Sequence, residues 1–217
     1  MTARDVKPPR RYDSPRRRAQ AEATRAEILA AAQRLLERDG YAATTMASVA
    51  AGAGVALKTV YLAFATKSGL LRALWNVLLR GDAEDVPMGE RPWFRDLLAE
   101  PDPGARLDRL ARQSRAVKDR AGPLMVVIRD AAAADADVAA LWDRIETQFR
   151  DLLGPLAQRL ADEGALRPGL DAARAADLLW ALNHPDVWRL LVRVRGWSPG
   201  EYEDWLAGAF RRELLGG

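Results

Sequence analysis

Between Thr44 and Lys67 the chain reads TTMASVAAGAGVALKTVYLAFATK, two short apolar-faced segments joined by a glycine-bearing turn, and this stretch restricts the possible folds more than any other. Val49, Val55, Val60 and Phe64 mark a face to be buried, which leaves Ala56, Leu57, Lys58, Thr59, Tyr61 and Leu62 to point outward. Thr45 offers a hydroxyl to the free amides at the start of the first segment. Ala50 and Gly54, four apart, put a small residue where two helices cross and a glycine where the turn needs positive φ. The preceding helix, expected over about residues 19–39, repeats Ile28, Leu29, Ala32, Leu35 and Leu36 at helical spacing and stops at Gly40. Three helices in this order make a helix-turn-helix, whose last helix is shaped to enter the major groove of double-stranded DNA.

Within that segment the candidate phosphate contacts are Thr45, Thr59, Tyr61 and the cations Lys58 and Lys67, since short hydroxyl donors and positive charges near helix N-termini suit an anion. The same threonines also serve as ordinary helix caps, and Tyr61 as a packing residue. For base edges, Lys58 can reach guanine acceptors, while Ala56 or Leu57 can meet a thymine methyl. Met46 has two readings, a base contact or a core position.

The ILAAA run, the DGYAATTM junction, the AGAGV turn, TVY with Phe64 three residues on, and Lys67 before LLRAL together resemble the N-terminal DNA-binding domain of the TetR family of bacterial transcriptional repressors, over about residues 25–75. The resemblance implies a homodimer that binds a palindromic operator and releases it when a small-molecule effector enters the C-terminal domain. The chain departs from the usual family pattern at Leu62 and Ala63, where an aromatic or histidine pair is common, and at Ala65, where proline or lysine is common.

Charge divides in the same sense. Residues 1–80 hold 14 Lys and Arg against 6 Asp and Glu, a balance of +8, whereas residues 81–217 hold 19 against 24, a balance of −5. Much of the positive excess lies in residues 1–18, where seven cations face only Asp5 and Asp13 and three prolines interrupt any periodicity. That segment is expected to be a disordered basic arm that tracks phosphates or enters the minor groove, against the plainer reading of a solvated tail. With no cysteine and one histidine, disulfides, thiolate chemistry and a structural zinc site find no support, and nothing calls for a cofactor or metal. No apolar run approaches the length of a membrane span and no secretory signal is evident, so a cytoplasmic location is expected.

The remainder reads as helices: Lys67 to Arg80 as a connector, a polar loop to Pro92, then segments at 93–99, 105–120, 123–134, 138–163, 171–183, 186–195 and 199–215. Pro155 is expected to kink or break its helix. Ser198, Pro199 and Glu201 form a helix start with a capping box. Trp93, Trp142 and Trp180, with Met125, Ile128, Ile145 and Phe149, either fill a core or line an apolar ligand cavity. Arg129, set in the run PLMVVIRDAAAA, must be paired if its helix is buried, either with another helix or with a ligand; Asp130 is expected to point elsewhere. His184, before Pro185, reads as a cap or packed corner. By the family resemblance, Leu178, Leu182, Leu190, Trp205, Leu206 and Phe210 lie on helices that form a dimer interface.

The expected fold is therefore all-α, with residues 1–18 as the arm, 19–66 as a three-helix helix-turn-helix domain and 67–217 as a helical ligand-binding and dimerisation domain. The function that fits is a ligand-responsive DNA-binding regulator, not an enzyme. The competing readings are an all-α enzyme or ligand-binding protein with a basic N-terminus, and a non-specific architectural protein; the acidic second half argues against the last.

Overall fold

The computed structural model describes residues 15–80 and 88–216, and every regular element among them is helical. α1 spans Pro15–Ala43 and is interrupted at Gly40, where φ is 78°. It begins ahead of the expected start, so Arg16, Arg17 and Arg18 ride on the helix; residues 1–14 of the expected arm lie outside the described residues. α2 (Met46–Ala53) opens with a capping box between Thr45 and Ser48 and closes at Gly54, whose left-handed φ of 68° a side chain would resist. α3 (Leu57–Phe64) and α4 (Lys67–Arg80) follow. After a short 3₁₀ turn, α5 (Pro92–Ala99) leads into α6 (Pro103–Ala132), α7 (Ala136–Asp162), α8 (Ala172–Leu182), α9 (Pro185–Trp188) and α10 (Pro199–Leu214).

One departure from the sequence expectation has a packing cause. The segments expected at 105–120 and 123–134 join in one helix, α6, with Pro123 inside it and its end at Ala132, while α7 contains Pro155 without a break. An internal proline costs about 3 kcal/mol through a lost backbone bond and a clash. On α6 the burial of Leu124, Met125 and Ile128 beyond the proline, continuous with Leu107, Leu110 and Ala111 before it, offsets that cost. The segment after α9 continues as a π-helical turn, Arg189–Val194.

Two apolar cores organise the helices. The first gathers Ile28, Leu36, Val49, Val60, Leu70, Leu71 and Leu74 from α1–α4, and continues into Leu124 and Ile128 of α6 and Val138 and Leu141 of α7. The end of the helix-turn-helix is thus cemented to the tips of α6 and α7 rather than joined by a linker. The second core packs Phe94, Leu107, Leu156, Leu160, Leu179, Trp188, Tyr202, Leu206 and Phe210. Leu206 and Phe210 are fully buried here, against their own chain, and so are corrected as interface residues: α10 turns its apolar stripe onto α6 and α8. Leu178, Leu182 and Trp205 are half-buried at the margin of this core, and Leu190 is 48% exposed.

Candidate nucleic-acid interface and effector cavity

The turn between α2 and α3 fixes the outward face. Val60 and Phe64 go into the first core, and α3 then presents Ala56, Leu57, Lys58, Tyr61 and Leu62 to solvent, with Leu62 at 79% exposure and Thr59 half-buried. Thr45 is exposed, but its hydroxyl accepts from the Ser48 amide at 3.0 Å and so caps α2. Met46 is corrected as a base contact: at 6% exposure it belongs to the core, because the first turn of α2 packs on α1. Arg25 supports the back of the motif, its guanidinium donating to the Ala63 carbonyl at 3.0 Å and lying 4.3 Å from the Phe64 ring centroid.

α3 ends in a strained junction. Ala65 has φ 59° and ψ −53°, and the Thr66 amide donates to the Phe64 carbonyl at 2.6 Å, a γ-turn of the positive-φ kind that L-residues avoid. α4 starts so close behind that a Cβ on Gly69 would lie 2.4 Å from the Phe64 carbonyl oxygen, which is why glycine stands there. Thr66 caps α4 by accepting from the Gly69 amide.

Lys67 does not project freely as a phosphate contact. It is half-buried with its ammonium 3.9 Å from the Tyr41 ring centroid, and burial lowers its pKa, a shift partly opposed by the field of Asp135. The Tyr41 hydroxyl in turn donates to Asp135 at 2.7 Å, and Ser68 donates to Asp137 at 3.0 Å. Asp135 is the N-cap of α7, accepting from the amides of Asp137 and Val138. Burial first, then the Asp135 carboxylate, pushes the Tyr41 phenol well above the usual tyrosine range; the Tyr41 bond leads the causes that hold Asp135 below the usual carboxylate range. The helix-turn-helix is therefore latched by polar bonds to the first turn of α7.

The other half of α7 borders a cavity of about 470 Å³, walled by α4, α5, α6, α7 and the end of α8. Trp93, Met125, Trp142, Ile145, Phe149 and Trp180 are in its wall, joined by Trp75, Asn76 and Leu79 from α4. Ile128 and Arg129 are not, and are corrected as cavity residues. Ile128 is fully buried in the first core. Arg129 pairs with Asp186 at the start of α9, and also with the adjacent Asp130 at 2.7 Å, which does not point elsewhere as its sequence position suggested. His184 caps α9 by accepting from the Asp186 amide, packs edge-on to Trp180, and places Nε2 3.3 Å from Glu146 in the cavity wall.

The polar residue that sequence reasoning missed is Lys118. It is 4% exposed, sits in the cavity wall, and donates to the Asn183 carbonyl, to Asn183 Oδ1 and, at 2.6 Å, to the Tyr202 hydroxyl. Asn183 in turn donates to Ser114 at 2.7 Å. No carboxylate pairs with Lys118 among the described residues, and burial holds its amine well below the usual lysine range. A signal existed: Leu107, Leu110, Ala111, Ser114, Lys118 and Ala121 fall on one helical stripe, so a lysine there had to be buried.

No helix among the described residues is on its own long and apolar enough to cross a membrane. Residues 28–74 match the family model described as bacterial regulatory proteins, tetR family. No curated protein matches the chain by sequence. Among solved structures the fold is similar to that of NalD, the secondary repressor of the MexAB-OprM multidrug efflux pump in Pseudomonas aeruginosa, with 22% identity, a TM-score of 0.69, and coverage of 90% of this chain and 98% of that one. It is also similar to a protein of Saccharomonospora viridis described as a transcriptional regulator in complex with choline (18%, TM-score 0.68, 90% and 100% covered). A third is the transcriptional regulator FadR of Bacillus subtilis in complex with stearoyl-CoA (17%, TM-score 0.68, 85% and 96% covered).

Proposed function

We propose, from the match of residues 28–74 to the model of the tetR family of bacterial regulatory proteins, that the chain is a homodimeric, effector-controlled repressor that reads a palindromic operator in the cytoplasm. The observation that carries this is the outward face of α3, with Lys58 and Tyr61 exposed on a short helix whose other face is locked into the first core. A helix held that rigidly can keep its register in a major groove. Residues 19–66 act as the reading unit. The two-fold partner docks on the margin of the second core, over half-buried Leu178, Leu182 and Trp205 and exposed Leu190, and the fixed separation of two α3 helices sets the spacing of the half-sites.

The cavity supplies the control. Trp75, Asn76 and Leu79 place α4 in its wall, and Trp142 and Ile145 do the same for α7, whose first turn is latched to Tyr41 and Ser68. A ligand that moves either helix changes the angle at which α3 is presented, and the two half-sites can no longer be filled together. The proteins of similar fold that hold choline and stearoyl-CoA support a cavity of this kind without specifying its occupant here.

The test is selection of duplexes retained by the full chain from a random DNA pool. The expected outcome is an enriched inverted repeat; retention without sequence preference would favour an architectural protein, and no retention would leave the cavity as the site of an enzyme or carrier.

A further inference from the structure

Fixed charge inside the effector cavity is unevenly satisfied. On α7, Glu146 is engaged by His184 Nε2, and Asp151 lies exposed at the rim. On α6, Lys118 is buried with three neutral oxygens as acceptors and no counter-charge among the described residues. α4 and α5 bring Trp75, Asn76, Leu79 and Trp93, none of them charged. A buried amine without an anion is costly as a cation. Two further donors belong to the same cavity wall. The Ser114 hydroxyl accepts from Asn183 and has its own proton to give, and Trp180, whose side chain is in the wall, carries a buried indole N–H with no partner.

From this imbalance we infer that the effector is an aromatic or alicyclic carboxylic acid, bound with its carboxylate on Lys118 and Ser114 and its ring system among Trp93, Trp142, Phe149 and Trp180. The inference rests on the reading of the cavity as an effector site. It moves the anion anchor from Arg129, which Asp186 already occupies, to a cation that has no carboxylate among the described residues. Because the three N–H of the ammonium already serve Asn183 O, Asn183 Oδ1 and the Tyr202 hydroxyl, the carboxylate replaces one of these neutral acceptors, and the ligand's own proton, or one from solvent, keeps Lys118 charged in the complex. Because Asn183 ends α8 and Tyr202 lies on α10, the anchor ties ligand charge to two helices of the second core.

Calorimetric titration of the full chain at neutral pH with 2-naphthoate, 2-naphthamide and 2-naphthylmethylammonium tests it. The expected result is binding of the acid at least about tenfold tighter than the amide, and of the cation weakest. Lys118→Met should abolish the preference for acid over amide. Asn183→Asp, nearly isosteric and expected to fold even if Lys118→Met does not, places a carboxylate on Lys118 and should abolish it as well. Equal binding of acid and amide, preference for the cation, binding by none of the three, or an acid preference that survives in Asn183→Asp would overturn the inference. DNA does not enter this titration and no ligand enters the DNA selection, so either can fail alone.

Discussion

Tyr41→Phe removes one atom from the latch between the helix-turn-helix and α7 and leaves the ring beneath Lys67 in place, so it isolates the 2.7 Å bond to Asp135. A hydrogen bond to a charged group contributes about 1.5–3 kcal/mol when its loss strands a buried partner. Asp135 is not stranded: it is only half-buried, keeps its bonds to the amides of Asp137 and Val138, and can recover water. The expected loss is therefore about 1 kcal/mol at neutral pH, or a midpoint lower by about 2–4 °C for a chain of this size. The pH dependence has a definite sign. Asp135 has its pKa lowered in the folded state, chiefly by Tyr41, so its contribution is present above the unfolded carboxylate pKa and fades as pH falls through the lower folded value. Tyr41→Phe should thus differ most from wild type near neutrality and converge with it in acid. Urea denaturation of both proteins across that range provides the readout. A difference under about 0.3 kcal/mol at neutral pH, or one that grows in acid, would refute the latch.

Other positions give sharper outcomes. Gly69→Ala drives a Cβ against the Phe64 carbonyl and should cost about 3 kcal/mol, with DNA affinity reduced through the displaced α3; wild-type thermal stability would show that the junction yields freely. Leu190→Asp, on an exposed side chain, should halve the mass in light scattering with helicity retained, whereas Leu206→Asp should unfold the chain because that residue lies in its own core; a dimer that survives Leu190→Asp places the interface elsewhere. Deleting residues 1–14 removes Arg4, Lys7, Arg10 and Arg11 from each subunit and should flatten the salt dependence of DNA binding by up to about 3–4 per subunit in the log–log slope, or about 7 for the dimer; an unchanged slope makes the arm idle.

The parts of the fold that the sequence reveals are those set by neighbours a few residues apart. Thr45 as the cap of α2, Gly54 at its end and Ser198 with Glu201 are all devices whose chemistry is local, and each stands where its residue type says; the Ser48 half of the first capping box goes unread. The phase of a long helix is a different matter. Ile128 and Met125 are adjacent on the apolar face of α6, yet only Met125 reaches the cavity, and which of them does depends on where α7 and α8 cross α6. The same limit applies to α10, whose stripe of Leu206 and Phe210 declares an apolar face without declaring what covers it. Pro123 suggests a break that packing on both sides overrides. The γ-turn at Ala65 has no signal in residue type, since alanine neither favours nor needs it; what permits it is Gly69, where a side chain would meet the Phe64 carbonyl.

The claim on which the rest depends is that the outer face of α3 reads base edges, and the most direct measurement is the random-duplex selection run in parallel with wild type and Lys58→Ala. Lys58 is exposed on the first turn of α3, ahead of Tyr61, where a lysine meets guanine acceptors in a major groove. The expected result is that the two selections agree everywhere except at one base position in each half-site, related by the two-fold axis, where the variant loses a preference of about 1–3 kcal/mol. Identical preferences from both proteins, or a uniform loss across all positions, would contradict the assignment of α3 as the reading helix.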